Sequence, residues 1–111
     1  MKQYDHPAPE DFTLAGILHA LADPFRLSVV RKLMQHQPQA CTPLQGGRPK
    51  SSISHHFMVL RKSGLLRTEV VGVTHMNSLR LQDMEARFPG LLAAVLAAAE
   101  QEEMSAPQPV A

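Results

Sequence analysis

The sequence predicts a mainly α-helical domain that carries one small β-hairpin, and three observations support this. The run Ser51-Ser52-Ile53-Ser54-His55-His56-Phe57-Met58-Val59-Leu60-Arg61-Lys62-Ser63-Gly64 reads as one fully punctuated helix. Residues 65–71 and 75–81 follow at once as two strand-like stretches joined around Gly72-Val73-Thr74. Charge is segregated as well. Residues 24–82 hold nine Lys or Arg against Glu69 alone, a net +8, whereas residues 1–23 carry −3 and residues 83–111 carry −4. A short helix running directly into a hairpin, inside a basic middle segment, is the layout of a winged helix-turn-helix whose helix enters a DNA groove.

Taken in order, residues 1–10 form an expected flexible arm, polar and carrying Pro7 and Pro9. The folded domain is expected over residues 11–101. A helix starts at Asp11 or Thr13 as cap, and Leu14, Ile17, Leu18 and Leu21 recur at i, i+3, i+4 and i+7, one apolar stripe. Asp23-Pro24 ends it and starts a second helix, with Asp23 as N-cap and Pro24 at the first helical position. Leu27, Val30, Leu33 and Met34 are its expected core face, with Arg26, Arg31 and Lys32 in solvent. Thr42-Pro43 can open a helix of one or two turns through Leu44 and Gln45 that Gly46-Gly47 closes.

Ser51 or Ser52 is the expected cap of the central helix, and Gly64 its left-handed C-terminal residue. Ile53, His56, Phe57 and Leu60 share one face, which must bury. Ser51, Ser54, His55, Met58 and Lys62 share the other. A small, polar N-terminal turn on that face enters a major groove without steric or like-charge penalty. Beyond the hairpin, Asp83 should cap a short turn through Phe88, and Pro89 should begin the last helix. There Leu91, Leu92, Val95, Leu96 and Ala99 lie among Ala93, Ala94, Ala97 and Ala98. A helix apolar all round must be covered all round. One domain of this size covers one side, so a second copy is expected on the other. Residues 102–111 are an expected disordered tail.

Composition narrows the function classes. The 111 residues are 44% hydrophobic and 19% charged, ordinary globular material with room for one modest core. A single cysteine, Cys41, excludes an intrachain disulfide and a cysteine-cluster zinc site, and fits a reducing cytoplasm. The polar opening residues, with Pro7 and Pro9, predict no secretory signal. The longest uncharged apolar run, residues 89–99, is far short of the roughly 20 residues that span a bilayer. There is no phosphate-cradling glycine loop and no hydrolase elbow, so no enzyme and no cofactor is expected. His55 and His56 are adjacent and point about 100° apart on a helix, so they cannot chelate jointly. No metal site is therefore assigned.

Leu21-Ala22-Asp23-Pro24-Phe25-Arg26-Leu27 resembles the signature that opens the second helix of ArsR/SmtB-family transcriptional repressors. Ser52-Ile53-Ser54-His55-His56-Phe57 with Leu60-Arg61-Lys62-Ser63-Gly64-Leu65-Leu66 resembles that family's recognition helix and its exit into the wing. The resemblance implies a homodimer through the first and last helices that binds double-stranded DNA at an inverted repeat and is released by a signal. The chain departs from the metal-sensing members, having no Cys-x-Cys pair and no histidine in the last helix. The expected DNA-contacting set is Arg48, Lys50, Ser51, Ser52, Ser54, His55, Arg61, Lys62, Arg67, Thr74 and His75, with Arg80 a further wing cation. The expected dimer set is Leu14, Ile17, Leu18, Leu21, Leu92, Val95, Leu96 and Ala99. Cys41 is the candidate sensor residue, of a thiol or metalloid signal. The alternative class is a winged helix used as a protein-interaction module. The small polar residues on the open helix face disfavour it, because protein-binding grooves use aromatic or aliphatic anchors.

Overall fold

Two side-chain caps set the first half of the chain. In the computed structural model, which describes residues 3–45 and 48–105, the Thr13 hydroxyl accepts the Gly16 N–H at 3.0 Å and starts α1, Leu14–Leu21. Asp11, the other expected cap, lies in a 3₁₀ turn, Pro9–Asp11. The Asp23 carboxylate accepts the Arg26 N–H at 2.9 Å and starts α2, Pro24–Gln35.

The face that α2 buries matches the expected one at Val30 and Leu33 and departs from it elsewhere. Phe25, Val29, Val30 and Leu33 are in the core, Leu27 is half-buried, and Met34 is 46% exposed. Arg26, expected in solvent, is only 7% exposed. The cause is local. The last turn of α1 leaves carbonyls short of donors, and the Arg26 guanidinium adds them, Nε on Ala20 O at 2.8 Å and Nη2 at 3.0 Å on His19 O, which also accepts the Ala22 N–H. Buried charge is tolerated when it is hydrogen-bonded in this way.

A two-residue strand β1, Gln39–Ala40, precedes α3, Cys41–Gln45. Gly46 and Gly47, the expected end of that helix, lie outside the described residues. The central helix α4 spans Lys50–Ser63 with Pro49 at the N-cap and no side-chain cap bond. Ser51 and Ser52 therefore sit inside its first turn and do not cap it. At the other end Gly64 is left-handed, φ 96°, as its position predicts. The hairpin is β2, Leu66–Val71, and β3, Thr74–Leu79, joined by Gly72-Val73. Gly72 has φ 62°, the glycine-first pattern of type II′ turns. Leu66 faces Leu79 and Thr68 faces Asn77 across the pair. β1 adds a third strand against β3, so the sheet order is β1-β3-β2, one strand more than the sequence reading gave.

α5, Leu81–Arg87, begins before Asp83, whose carboxylate pairs with Arg80 at 3.0 Å and caps nothing. α6, Leu91–Ser105, runs past residue 102, where the tail was expected to begin. Arg31 of α2 forms an ion pair with Glu103 on it. The expected dimer set divides. Ile17, Leu21, Leu92 and Ala99 are buried within the chain itself, and Val95 and Leu96 are half-buried. Leu14 and Leu18, at 47% and 45%, remain exposed, together with Ala93, Ala94, Ala97 and Ala98.

The described part of the expected flexible arm is docked. Gln3 donates to Val70 O at 3.1 Å and accepts its N–H at 2.9 Å, and His6 Nε2 accepts the Thr68 N–H at 3.0 Å. Pro7 O accepts from Arg80 at 2.8 Å. These side chains satisfy the outer edge of β2 that a further strand would otherwise fill. Phe12 then packs against Gly64, where an added Cβ would stand 2.2 Å from the ring. Gly64→Ala should therefore cost at least about 2 kcal/mol, from left-handed backbone strain and overpacking together. Urea unfolding measures it, and a loss under about 0.5 kcal/mol, the scale of a neutral surface change, would contradict this packing.

Candidate nucleic-acid interface

α4 divides into two faces as its spacing requires. Ile53, Phe57 and Leu60 are buried. Lys50, Ser51, Ser54, His55, Met58 and Lys62 are exposed along one strip, and Ser52 is half-buried beside it. The Ser54 hydroxyl rests on Lys50 O at 3.3 Å, an i−4 bond that water or a base edge can replace. Arg48 is exposed ahead of the helix, its guanidinium 4.8 Å from the centre of the Phe25 ring. On the wing, Arg67 and Thr74 are exposed and His75 is half-buried.

Two of the expected phosphate-contacting cations are committed elsewhere. Arg80 is 8% exposed, held by Asp83, by Pro7 O and over the Phe12 ring. Arg61 is half-buried, stacked 4.0 Å above the centre of the Tyr4 ring and donating to Thr68 Oγ1 at 3.3 Å. Burial pulls its pKa below the usual arginine value.

Behind this strip lies a polar chain. Thr68, 1% exposed, accepts from Arg61 and donates to Asn77 Oδ1 at 2.7 Å. Asn77, fully buried, donates to Gln39 O at 3.2 Å and reaches Cys41 Sγ at 3.4 Å. The candidate sensor thiol is thus half-buried at the junction of β1, α3 and the wing. Among the described residues no group of three His, Cys, Asp or Glu side chains is placed to hold a metal.

His56 ties the same helix to α2. Its Nδ1 accepts from Arg26 at 3.1 Å, its ring packs on Phe25 with centroids 5.0 Å apart, and Asp23 stands 3.8 Å away. Burial lowers its pKa, and the attraction of Asp23 only partly offsets this while Arg26 adds to it. A neutral ring suits an acceptor at Nδ1. For Asp23, burial raises the pKa, but the Arg26 N–H and the neighbouring charges outweigh it and the net shift is downward. Tyr4, Gln3, His6, Thr68, Asn77 and Arg26 were absent from the sequence-derived site. Only Thr68 and Asn77 carried a signal, being polar residues at the inward parity of their strands.

Solved structures share this geometry. An ArsR family transcriptional regulator is 27% identical, with a TM-score of 0.61 over 84% of this chain and 98% of its own. The chain has the ArsR-family winged helix-turn-helix fold. The transcriptional repressor BigR from Xylella fastidiosa gives 22% identity and a TM-score of 0.60 over 86% of this chain and 88% of its own. A homodimeric winged helix-turn-helix DNA-binding domain from Mycobacterium bovis, described as a possible ArsR-family regulator, gives 22% and 0.62 over 86% and 87%. These three structures are described as transcriptional regulators or a DNA-binding domain, none as an enzyme. No protein-family model matches the chain, and no curated protein matches it by sequence. Among the described residues no helix is long and apolar enough to cross a membrane.

The arm's anchor has a definite pH dependence. Burial, then the charges of Arg67, Arg80 and Arg61, lower the His6 pKa from its ordinary 6.5. The neutral ring, the only form that accepts the Thr68 N–H, is thus favoured by folding. The resulting stability is complete above pH 6.5 and is lost as pH falls through the lowered folded value. The gap in Tm between the wild type and His6→Leu should be wider at pH 7.5 than at about pH 5. An equal gap at both pH values would contradict the anchor.

Proposed function

We propose that this chain is a DNA-binding transcriptional repressor that reads an inverted-repeat operator as a homodimer. Its release follows a signal other than a classical metal ion. The observation that carries the reading is the exposed strip of α4, small and uncharged at Ser51 and Ser54, flanked by Arg48, Lys50, Lys62 and, on the wing, Arg67. Small hydrogen-bonding groups at the N-terminal end suit base edges, and the cations around them suit phosphates. Thr74 and His75 extend the phosphate-contacting set along the wing. Repression needs only that the bound dimer occupies the operator.

The dimer is supported by the exposed Leu14 and Leu18 on α1 and the exposed alanines of α6, a surface of small and aliphatic side chains. A two-fold axis through that surface places two α4 helices to read two half-sites. The reading of a non-metal signal rests on the ligand inventory. Cys41 has no second thiol, and α6 offers only carboxylates, hard ligands poorly suited to transition metals.

Salt-dependent binding tests the DNA assignment. Lys62→Ala should weaken binding to every sequence and flatten the salt slope by roughly one charge. Ser54→Ala should instead reduce discrimination between operator and random DNA, by about 1–3 kcal/mol if one base contact is lost. Unchanged affinity, slope and discrimination in both would contradict the placement of α4 in the groove.

For the dimer, Leu18→Glu should give a monomer on sedimentation at micromolar protein and lose about 100-fold or more in operator affinity, with no DNA contact altered. Because Leu92 is buried within the chain, Leu18 is the cleaner position. A wild-type monomer that still binds a palindrome tightly would overturn the two-fold reading.

A further inference from the structure

Between α4, the wing turn and the arm lies a cleft of about 530 Å³, within the range of about 300–1,000 Å³ that holds small molecules. Ile53 and Phe57 give it an apolar lining, and Tyr4, Lys50, Arg61 and His75 give it a polar, cationic one. Arg61 is the unusual member. Its guanidinium is half-buried, yet its partners are the Tyr4 ring and the Thr68 hydroxyl, both neutral. Among the described residues no carboxylate pairs with it, while Arg31 and Arg80 each have one. A partly desolvated guanidinium with open N–H donors attracts a planar carboxylate or a phosphate, which its fork geometry matches. The Tyr4 hydroxyl, bound to His75 Nδ1 at 2.8 Å, stands on the same cleft.

We propose that this cleft binds a small organic anion, a carboxylate or phosphate on an apolar body, and that the bound anion and DNA exclude each other. Arg61 and Lys50 take the charge, and Ile53, Phe57 and Tyr4 take the body. Exclusion follows from shared residues: Lys50, Ser54, Thr74 and His75 line the cleft and belong to the DNA-facing set. This half of the proposal rests on the function proposed above. A DNA backbone phosphate offers the same charge but no compact apolar body, so the two sources are separable.

Tyr4 is the sole tyrosine and there is no tryptophan, so intrinsic emission of the full chain reports this cleft directly. The probes are cyclohexanecarboxylate, its neutral isostere cyclohexanecarboxamide, and inorganic phosphate, with ionic strength matched by sodium chloride. Cyclohexanecarboxylate should change Tyr4 emission saturably and bind about tenfold or more tighter than the amide, the gain expected of a charge-assisted hydrogen bond. It should displace DNA selected from a random pool, and Arg61→Gln should lose the preference for carboxylate over amide. Equal responses to carboxylate and amide would overturn the proposal without any variant needing to fold. Inorganic phosphate binding as tightly as the carboxylate would overturn it too, leaving only a seat for DNA phosphates. DNA binding with no carboxylate response would sink the site and leave the proposed function standing. Carboxylate binding by a protein that binds no DNA would do the reverse.

Discussion

Thr68 and Asn77 stand opposite each other in the hairpin, both buried, each satisfying the other with a 2.7 Å hydrogen bond. Their remaining partners lie on different elements: Arg61 on α4, His6 on the arm and Gln39 on β1. An unpaired buried polar group costs about 1–3 kcal/mol. Any register or wing angle that separates this pair therefore strands several such groups at once. A slip of one residue would also turn Leu66 and Leu79 outward. The wing and the helix beside it are in this way held in one relative placement, which two-point DNA reading requires.

A second network performs the same task at the other side of α4. Arg26 closes the end of α1 through Ala20 O and His19 O and donates to His56 on α4. The helix that carries the exposed Leu14 and Leu18 is thereby joined to the helix that carries Ser54 and His55. If α1 forms the dimer surface, the spacing between two recognition helices is transmitted through one buried guanidinium. The docked arm has a further consequence. By covering Thr68 and Val70 at the edge of β2, it removes a template for strand pairing between copies.

Much of the architecture could be read directly from residues. Asp23-Pro24, Thr13 and Gly64 each answer a local demand, an orphan N–H or a left-handed backbone, and such demands are written within four residues. The outward strip of α4 was equally legible, because helical periodicity fixes which side chains share a face. Relations between elements were not. The period of α2 places Val30 and Leu33 inward, as observed, but it does not show that the Arg26 guanidinium turns back onto the end of α1, so Arg26 was expected in solvent. The arm looked loose because its partners, Val70, Thr68 and Arg80, lie more than sixty residues away. α6 looked apolar all round because alanines count as apolar, yet only Leu92 and Ala99 are buried by the chain itself. Ser51 and Ser52 were attractive caps, but Pro49 already supplies the extended residue before the helix.

The central claim is that two rigidly held helix-wing units read DNA across a two-fold axis. Hydroxyl-radical footprinting on DNA selected by the wild-type protein tests it most directly. The account predicts an imperfect palindrome, with protected patches centred about one helical turn, roughly 10 base pairs, apart or a multiple of it. A single protected half-site, or protection without sequence preference, would contradict it.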